Sequence, residues 1–191
     1  MRIDVLERPM VQYFVISLVF LTQMAIRFSS DINHDTGWYI YVASGLLDGK
    51  QLYVDFVEVN PPLGMWLAVP PVALARLLGL SPVFAVYASH FLIAALALLL
   101  SARYLRALPW LPHAERNLIP MLVAAAILFV PGYDFAQREH AMILLVLPWL
   151  LLRNARQLGE HHGKTHVLVH VTEWERRLME RMNYEGVRDT D

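Results

Sequence analysis

The feature that most constrains this chain is how its apolar residues are bunched. Residues 10–28, MVQYFVISLVFLTQMAIRF, form one long, mainly apolar block, close to the ~20 helical residues that cross ~30 Å of hydrocarbon. Further blocks follow at 82–100, 118–131 and 135–152. Hydrophobic residues make up 57% of the 191 and charged ones 17%, against roughly 45–50% and about 25% in soluble domains. The excess sits in blocks, which predicts an all-α fold of multi-pass transmembrane helices. No small-residue cleavage site follows the first block, so it reads as an uncleaved span. Within it Gln12 and Gln23 could face a neighbouring helix, and Arg27 can snorkel at the far end.

Arginines set the topology. Residues 62–80 are apolar but carry Pro70-Pro71, read as a break, and Arg76. If this segment spans, Arg103, Arg106 and Arg116 lie on the same side as the loop before it. If it lies along the surface, they share the cytoplasm with Arg2 and Arg8, and the positive-inside rule favours this. Arg153 and Arg156 then fall on that side too. The expected arrangement has a cytoplasmic N-terminus, four spans (10–28, 82–100, 118–131, 135–152) and an extracytoplasmic loop at 29–81. Interfacial amphipathic helices are expected in that loop. One runs over 36–47, capped by Asn33 or Asp35 and ended by Gly49. Trp38, Tyr41, Val42 and Leu46 would form its apolar stripe. Residues 52–59 read as extended or irregular. A polar tail, 157–191, is expected in the cytoplasm.

Two polar clusters then share the outer side. One is the loop, with Asp31, Asp35, Asp48, Asp55 and Glu58; the other is Asp134 with Gln137, Arg138, Glu139 and His140. A carboxylate can act as general base toward a hydroxyl, and an arginine can bind phosphate through charge-assisted hydrogen bonds. Such a pairing suits group transfer at a membrane surface better than transport, which favours polar groups near mid-bilayer. A net charge of −1 gives no reason to expect nucleic acid. The absence of cysteine excludes disulfides and thiolate metal sites. A serine triad, a phosphate-binding glycine loop and a dinucleotide fingerprint are absent. His90 is either functional by its place in a span or a neutral histidine bonded to a neighbouring helix. His161, His162, His166 and His170 allow a metal reading, against which stands that of a solvated tail. No metal ligands are assigned.

The loop sequence HDTGWYIYVASGLLDGKQLYVDFVEVNPPL resembles the first lumenal or periplasmic loop of the GT-C superfamily of glycosyltransferases. The nearest branch is that of protein O-mannosyltransferases and bacterial lipid A aminoarabinose transferases. That loop carries Asp-acidic-x-x-Tyr, then Gly and Tyr-x-Asp, then Lys-Pro-Pro-Leu. Asp35 stands at the catalytic aspartate and Tyr39 at the tyrosine. Gly49, Tyr53 and Asp55 follow, with Asn60-Pro61-Pro62-Leu63 at the proline motif. The likeness covers residues 11–156, the region expected to form the transmembrane domain.

The resemblance implies an inverting transfer of a sugar from a polyprenyl-phosphate donor to a lipid, glycan or protein acceptor, with Asp35 as base. Tyr39, Asp55, Glu58, Asn60, Arg138, Glu139 and His140 would bind donor or acceptor, and Arg138 would meet the donor phosphate. No cofactor is specified; a divalent cation is compatible with the chemistry. The style of the likeness points to the bacterial inner membrane. Two departures bear on it: Thr36 replaces the second acid, and Asn60 replaces the lysine. Members of the superfamily are also much longer. The expected alternatives are a truncated enzyme, an enzyme completed by a partner membrane chain, or a non-catalytic remnant or partner-binding subunit.

Overall fold

The computed structural model describes residues 8–106, 108 and 111–161, with backbone alone from 155 onward. The fold is all-helical among these residues: α1 (Pro9–Ser29), α2 (His34–Leu47), α3 (Leu63–Leu78), α4 (Pro82–Arg106), α5 (His113–Phe129), a 3-10 turn (Gly132–Asp134) and α6 (Arg138–His161). Of the expected tail, 157–191, residues 157–161 continue α6, and the rest lies outside the described residues.

The centre is α4, which packs against each of the other five helices except for a slighter share with α1 and α2. Small residues make this possible. Ala85, Ala94, Ala97, Ser101 and Ala102 are all buried on it and let neighbouring backbones approach closely. Ring contacts and hydrogen bonds fix the directions. Phe28, late in α1, meets Phe84 and Tyr87, early in α4, while Gln12 and Tyr13 meet Arg106 at the other end. α1 and α4 are therefore antiparallel. His90 stacks on His140, with ring centroids 6.2 Å apart, and Tyr104 and Leu152 line one groove farther along, so α4 and α6 run the same way. The polar loop segments gather at one end of the bundle, and Arg103, Arg106 and Arg153 lie towards the other.

Among the described residues two helices, α1 and α4, are long and apolar enough to cross a membrane. The blocks expected at 118–131 and 135–152 become helices with other boundaries. α5 starts earlier, at His113, taking Glu115 into its first turn, and α6 starts three residues later than expected. The delay has a local cause: Ala136 has φ +70°, a left-handed conformation that a helix cannot incorporate.

α1 is turned inside out relative to a soluble helix. Its buried residues are Gln12 and Gln23, eleven positions or three turns apart and hence on one face. Met10, Phe14, Leu18 and Leu21 are exposed. Gln23 accepts from Arg27 Nε at 3.3 Å. The Arg27 guanidinium lies over the Phe135 ring at 5.5 Å, so it folds inward where snorkelling was expected.

α2 and α3 lie side by side and run in the same direction. At their starts Gly64 sits against the Tyr39 ring, where a Cβ would stand 3.2 Å from Cζ. At their ends Arg76 Nη1 and Nη2 hold the Asp48 carboxylate at 2.6 and 3.2 Å, and Nη2 also donates to Ser44 O. Residues 50–62 return the chain between them through turns. Phe56 anchors this return, buried against Gly45, whose missing Cβ leaves room for the ring.

Two local expectations are corrected, and one of the two alternatives for a cap is decided. Pro70-Pro71 does not break the helix: both lie inside α3. A proline costs the bond to the carbonyl four residues back, yet its φ is helical. Burial of Met65, Ala68, Val72 and Ala75 holds α3 together. The cap of α2 is Asn33, whose Oδ1 accepts from Asp35 N at 2.8 Å; Asp35 lies in the first turn. The buried face of α2 is Thr36, Tyr39, Val42 and Ala43, with Tyr41 exposed. Its stripe is therefore rotated from the one expected, because α2 packs on α3 as well as on the bundle.

Candidate functional site

A circuit of hydrogen bonds, closed through the backbone at 137–138 and along α2, joins segments far apart in sequence. Asn33 Nδ2 donates to Asp134 Oδ1 at 3.2 Å, and so does Gln137 Nε2. Next to Gln137, Arg138 Nη1 donates to Asn60 Oδ1 at 3.1 Å. Asn60 donates to Glu58 Oε1 through its backbone N–H at 2.7 Å and its Nδ2 at 2.9 Å. Trp38 Nε1 donates to Glu58 Oε2 at 2.6 Å, which returns the circuit to α2. Bonds between groups 101 and 78 residues apart close the ring.

The parts are placed by local structure. Asn33 can serve both roles because its Oδ1 caps α2 while its amide points across. The 3-10 turn and the left-handed Ala136 put Gln137 and Arg138 at the outer edge. Tyr53, the other non-glycine with positive φ (66°), bonds Asn60 O through its hydroxyl at 2.7 Å. Both left-handed residues thus flank the ring. Such conformations cost roughly 1–3 kcal/mol and persist where surrounding structure holds them.

Asp35 lies within this circuit of segments, but its carboxylate is not part of the ring. Among the described residues it meets His34 Nε2, at 3.1 Å, and its side chain is 47% exposed. Tyr39 is buried beneath. Desolvation raises its hydroxyl above the ordinary 10.0; Arg138 opposes this, while Glu139, Asp35 and Glu58 add to it. Tyr39 is thus a neutral donor at physiological pH. Arg138 Nε pairs with Glu139 Oε1 at 2.5 Å. With Nη1 on Asn60, the Arg138 Nη2 donors remain for a ligand, since a guanidinium carries five N–H groups.

Two expected site residues stand elsewhere. Asp55 Oδ2 accepts from Gln51 N at 2.7 Å and stabilises its own turn. His140 is buried, with Nδ1 accepting from Ala136 N at 3.2 Å and Nε2 2.9 Å from Ile127 O. Since the amide must donate, the proton sits on Nε2 and bonds the carbonyl. His140 therefore pins α6 to α5. His90 turns its Nδ1 to Val86 O, 2.9 Å away on its own helix.

In the sequence Asn33 reads as a helix cap, Trp38 as part of an apolar stripe and Arg27 as a snorkelling residue, and none of the three is assigned to the site. The sole signal was proximity to Asp35 and to the end of the first block. Among the described residues no group of three or more His, Asp or Glu side chains could hold a metal ion. The tail histidines 162, 166 and 170 lie outside them. A crevice of about 10 Å³ lies between Thr36, Tyr39, His90 and Arg138, room for about one water. Thr36 Oγ1 is buried beside it without a protein partner.

Glu58 gives this site a pH limit. Partial burial pushes its carboxyl up, but donors from the Asn60 backbone, Trp38, the Asn60 amide and the Val59 backbone outweigh that, and it titrates below the ordinary 4.5. A depressed carboxyl contributes stability that is present above its unfolded value and lost as pH falls through the folded one. The Trp38 indole N–H resonance is therefore expected to hold its position from neutral pH to below 4.5, then shift as the ring opens. Glu58→Gln should show no such acid step; an unchanged step in that variant contradicts the assignment.

Comparison with protein-family models, curated proteins and solved structures finds no match to this chain.

Proposed function

We propose that the chain is a membrane protein in which α1, α4, α5 and α6 span, and that its polar end transfers a sugar from a polyprenyl-phosphate donor to a lipid, glycan or protein acceptor. The membrane reading is supported by the inverted α1, of whose most apolar stretch 11% is buried. An apolar surface of that extent needs lipid or protein cover. It is supported also by Arg103, Arg106 and Arg153, which lie opposite the polar ring, the asymmetry of a bacterial inner-membrane protein with its N-terminus in the cytoplasm. α2 and α3 would lie together along the outer interface, joined by the Arg76–Asp48 ion pair.

The observation that carries the transferase reading is the division of labour around Asp35. Glu58, Asn60 and Arg138 hold one another, while the Asp35 carboxylate, half-exposed with His34 at one oxygen, has its other oxygen for an acceptor hydroxyl. Asp35 would take the hydroxyl proton as the oxygen attacks the anomeric carbon from the face opposite the leaving phosphate. Arg138 would stabilise the charge growing on that phosphate, and the Tyr39 hydroxyl lies close enough to both charges to feel them. Asn60 stands where the resembling family has lysine, so here it orients Arg138 and adds no charge of its own.

One observation favours the second reading, a non-catalytic subunit that binds lipid or a partner chain. The crevice beside Tyr39 takes about one water, far less than a sugar, so a donor must lie across the exposed surface or in a pocket completed by another chain. The two readings part in membranes containing this chain and a labelled polyprenyl-phosphate sugar. Label reaching a lipid, glycan or protein acceptor supports the enzyme; inserted, folded protein without transfer supports the subunit.

A further inference from the structure

Towards the end of the bundle opposite the ring, α1 and α4 line an apolar groove of about 480 Å³. It runs from Leu21 and Ala95 to Gln12, Tyr13 and Arg106. We propose that this groove holds an acyl chain of an anionic glycerophospholipid, with the lipid phosphate on Arg106 and Tyr13. The proposal rests on the membrane reading of α1 and α4, but not on any transfer activity.

The dimensions match one leaflet. Gln12 to Leu21 is nine residues, about 14 Å of helix, against ~15 Å for half a ~30 Å hydrocarbon core. The volume lies within the ~300–1,000 Å³ of ordinary ligand sites. The charge selects the headgroup. Arg106 Nη2 meets neutral oxygens alone, Gln12 Oε1 at 3.4 Å and Tyr13 Oη at 3.1 Å, and among the described residues it has no carboxylate partner within ion-pair distance. The remaining N–H groups can donate to a phosphate, and the Tyr13 hydroxyl, used as an acceptor by Arg106, keeps its proton to donate. The Arg106 guanidinium already lies 5.7 Å from the Tyr13 ring centroid, which fixes both at the mouth. A sugar donor is the wrong occupant, because Arg138 lies beside His90, about 16 residues or roughly 24 Å along α4 from Arg106.

The test is native mass spectrometry of the intact detergent-solubilised protein, titrated with phosphatidylglycerol or phosphatidylcholine of identical acyl chains. The wild type should retain the anionic lipid about fivefold better, the effect of one basic residue at a membrane surface. Arg106→Gln should bring the two to parity, Arg106→Lys should keep most of the preference, and Arg153→Gln should leave it intact. Ala95→Trp, which fills the groove, should lose both adducts. Equal retention by the wild type, an unchanged preference in Arg106→Gln, or a lipid-free dimer in place of adducts would overturn the proposal. Resistance of the chain to alkaline carbonate extraction, measured alongside, separates failure of the groove from failure of the membrane reading.

Discussion

Asp35→Asn should lower sugar transfer by about 10²–10⁴-fold, the usual contribution of a positioned general base, while leaving the protein folded. The amide keeps the size and polarity of the side chain but cannot take a proton. The fold should tolerate it because Asn33 caps α2 and the polar ring closes without the Asp35 carboxylate. The remaining cost is the loss of a negative charge in the first turn of a helix, about 0.3–1 kcal/mol. The loss should fall on kcat, with donor KM little changed, since a base acts in the transition state. Undiminished transfer by this variant sinks the catalytic assignment, and a parallel fall in thermal stability would mean that Asp35 is structural.

Phe135→Ala should be the most destabilising truncation at this end of the molecule, by about 3–5 kcal/mol. The side chain is fully buried. Its ring centroid lies 4.6 Å from that of His140, 4.8 Å from Phe91 and 5.9 Å from Tyr87, with Arg27 over its face. Those partners come from α1, α4 and α6, so a cavity here loosens three helices together. Ala136 and the 3-10 turn flank Phe135, and the ends of the ring at Asp134 and Gln137 should loosen with it. Thermal unfolding of detergent-purified protein measures the loss. A cost below about 0.5 kcal/mol, within the range of ordinary surface changes, contradicts this account of the site's support.

Much of this architecture is legible in the sequence, for reasons particular residues make plain. The apolar blocks at 10–28 and 82–100 lie within α1 and α4 because hydropathy over that length leaves few other folds. Gly49 ends α2 as its position suggests, with φ +87° beyond the C-cap Asp48. Gly79 does the same for α3 with φ +67°. Other features depend on tertiary contacts. The Asn33–Asp134 and Asn60–Arg138 bonds join groups whose spacing carries no periodic signal. The left-handed Ala136 is an alanine, so nothing in its type announces the turn that delays α6 and sends His140 inward. The proline pair reads locally as a break, and only the packing of α3 shows why it is not one. At the site, the sequence picks out Asp35, Tyr39, Glu58, Asn60, Arg138 and Glu139, which share one end of the molecule. It does not tell which carboxylates are committed: Glu58 is held by four donors, and Asp35 is left open.

Sidedness decides whether this polar end can meet an external donor at all. The chain contains no cysteine, so single cysteines can be introduced and labelled without background. Val57 is almost fully exposed at the polar end, and Arg103 is exposed in the last turn of α4. A membrane-impermeant maleimide applied to intact cells should label the Val57→Cys variant, and should label Arg103→Cys only after the cells are opened. Labelling of both positions from the same side would contradict the arrangement on which the transferase reading depends.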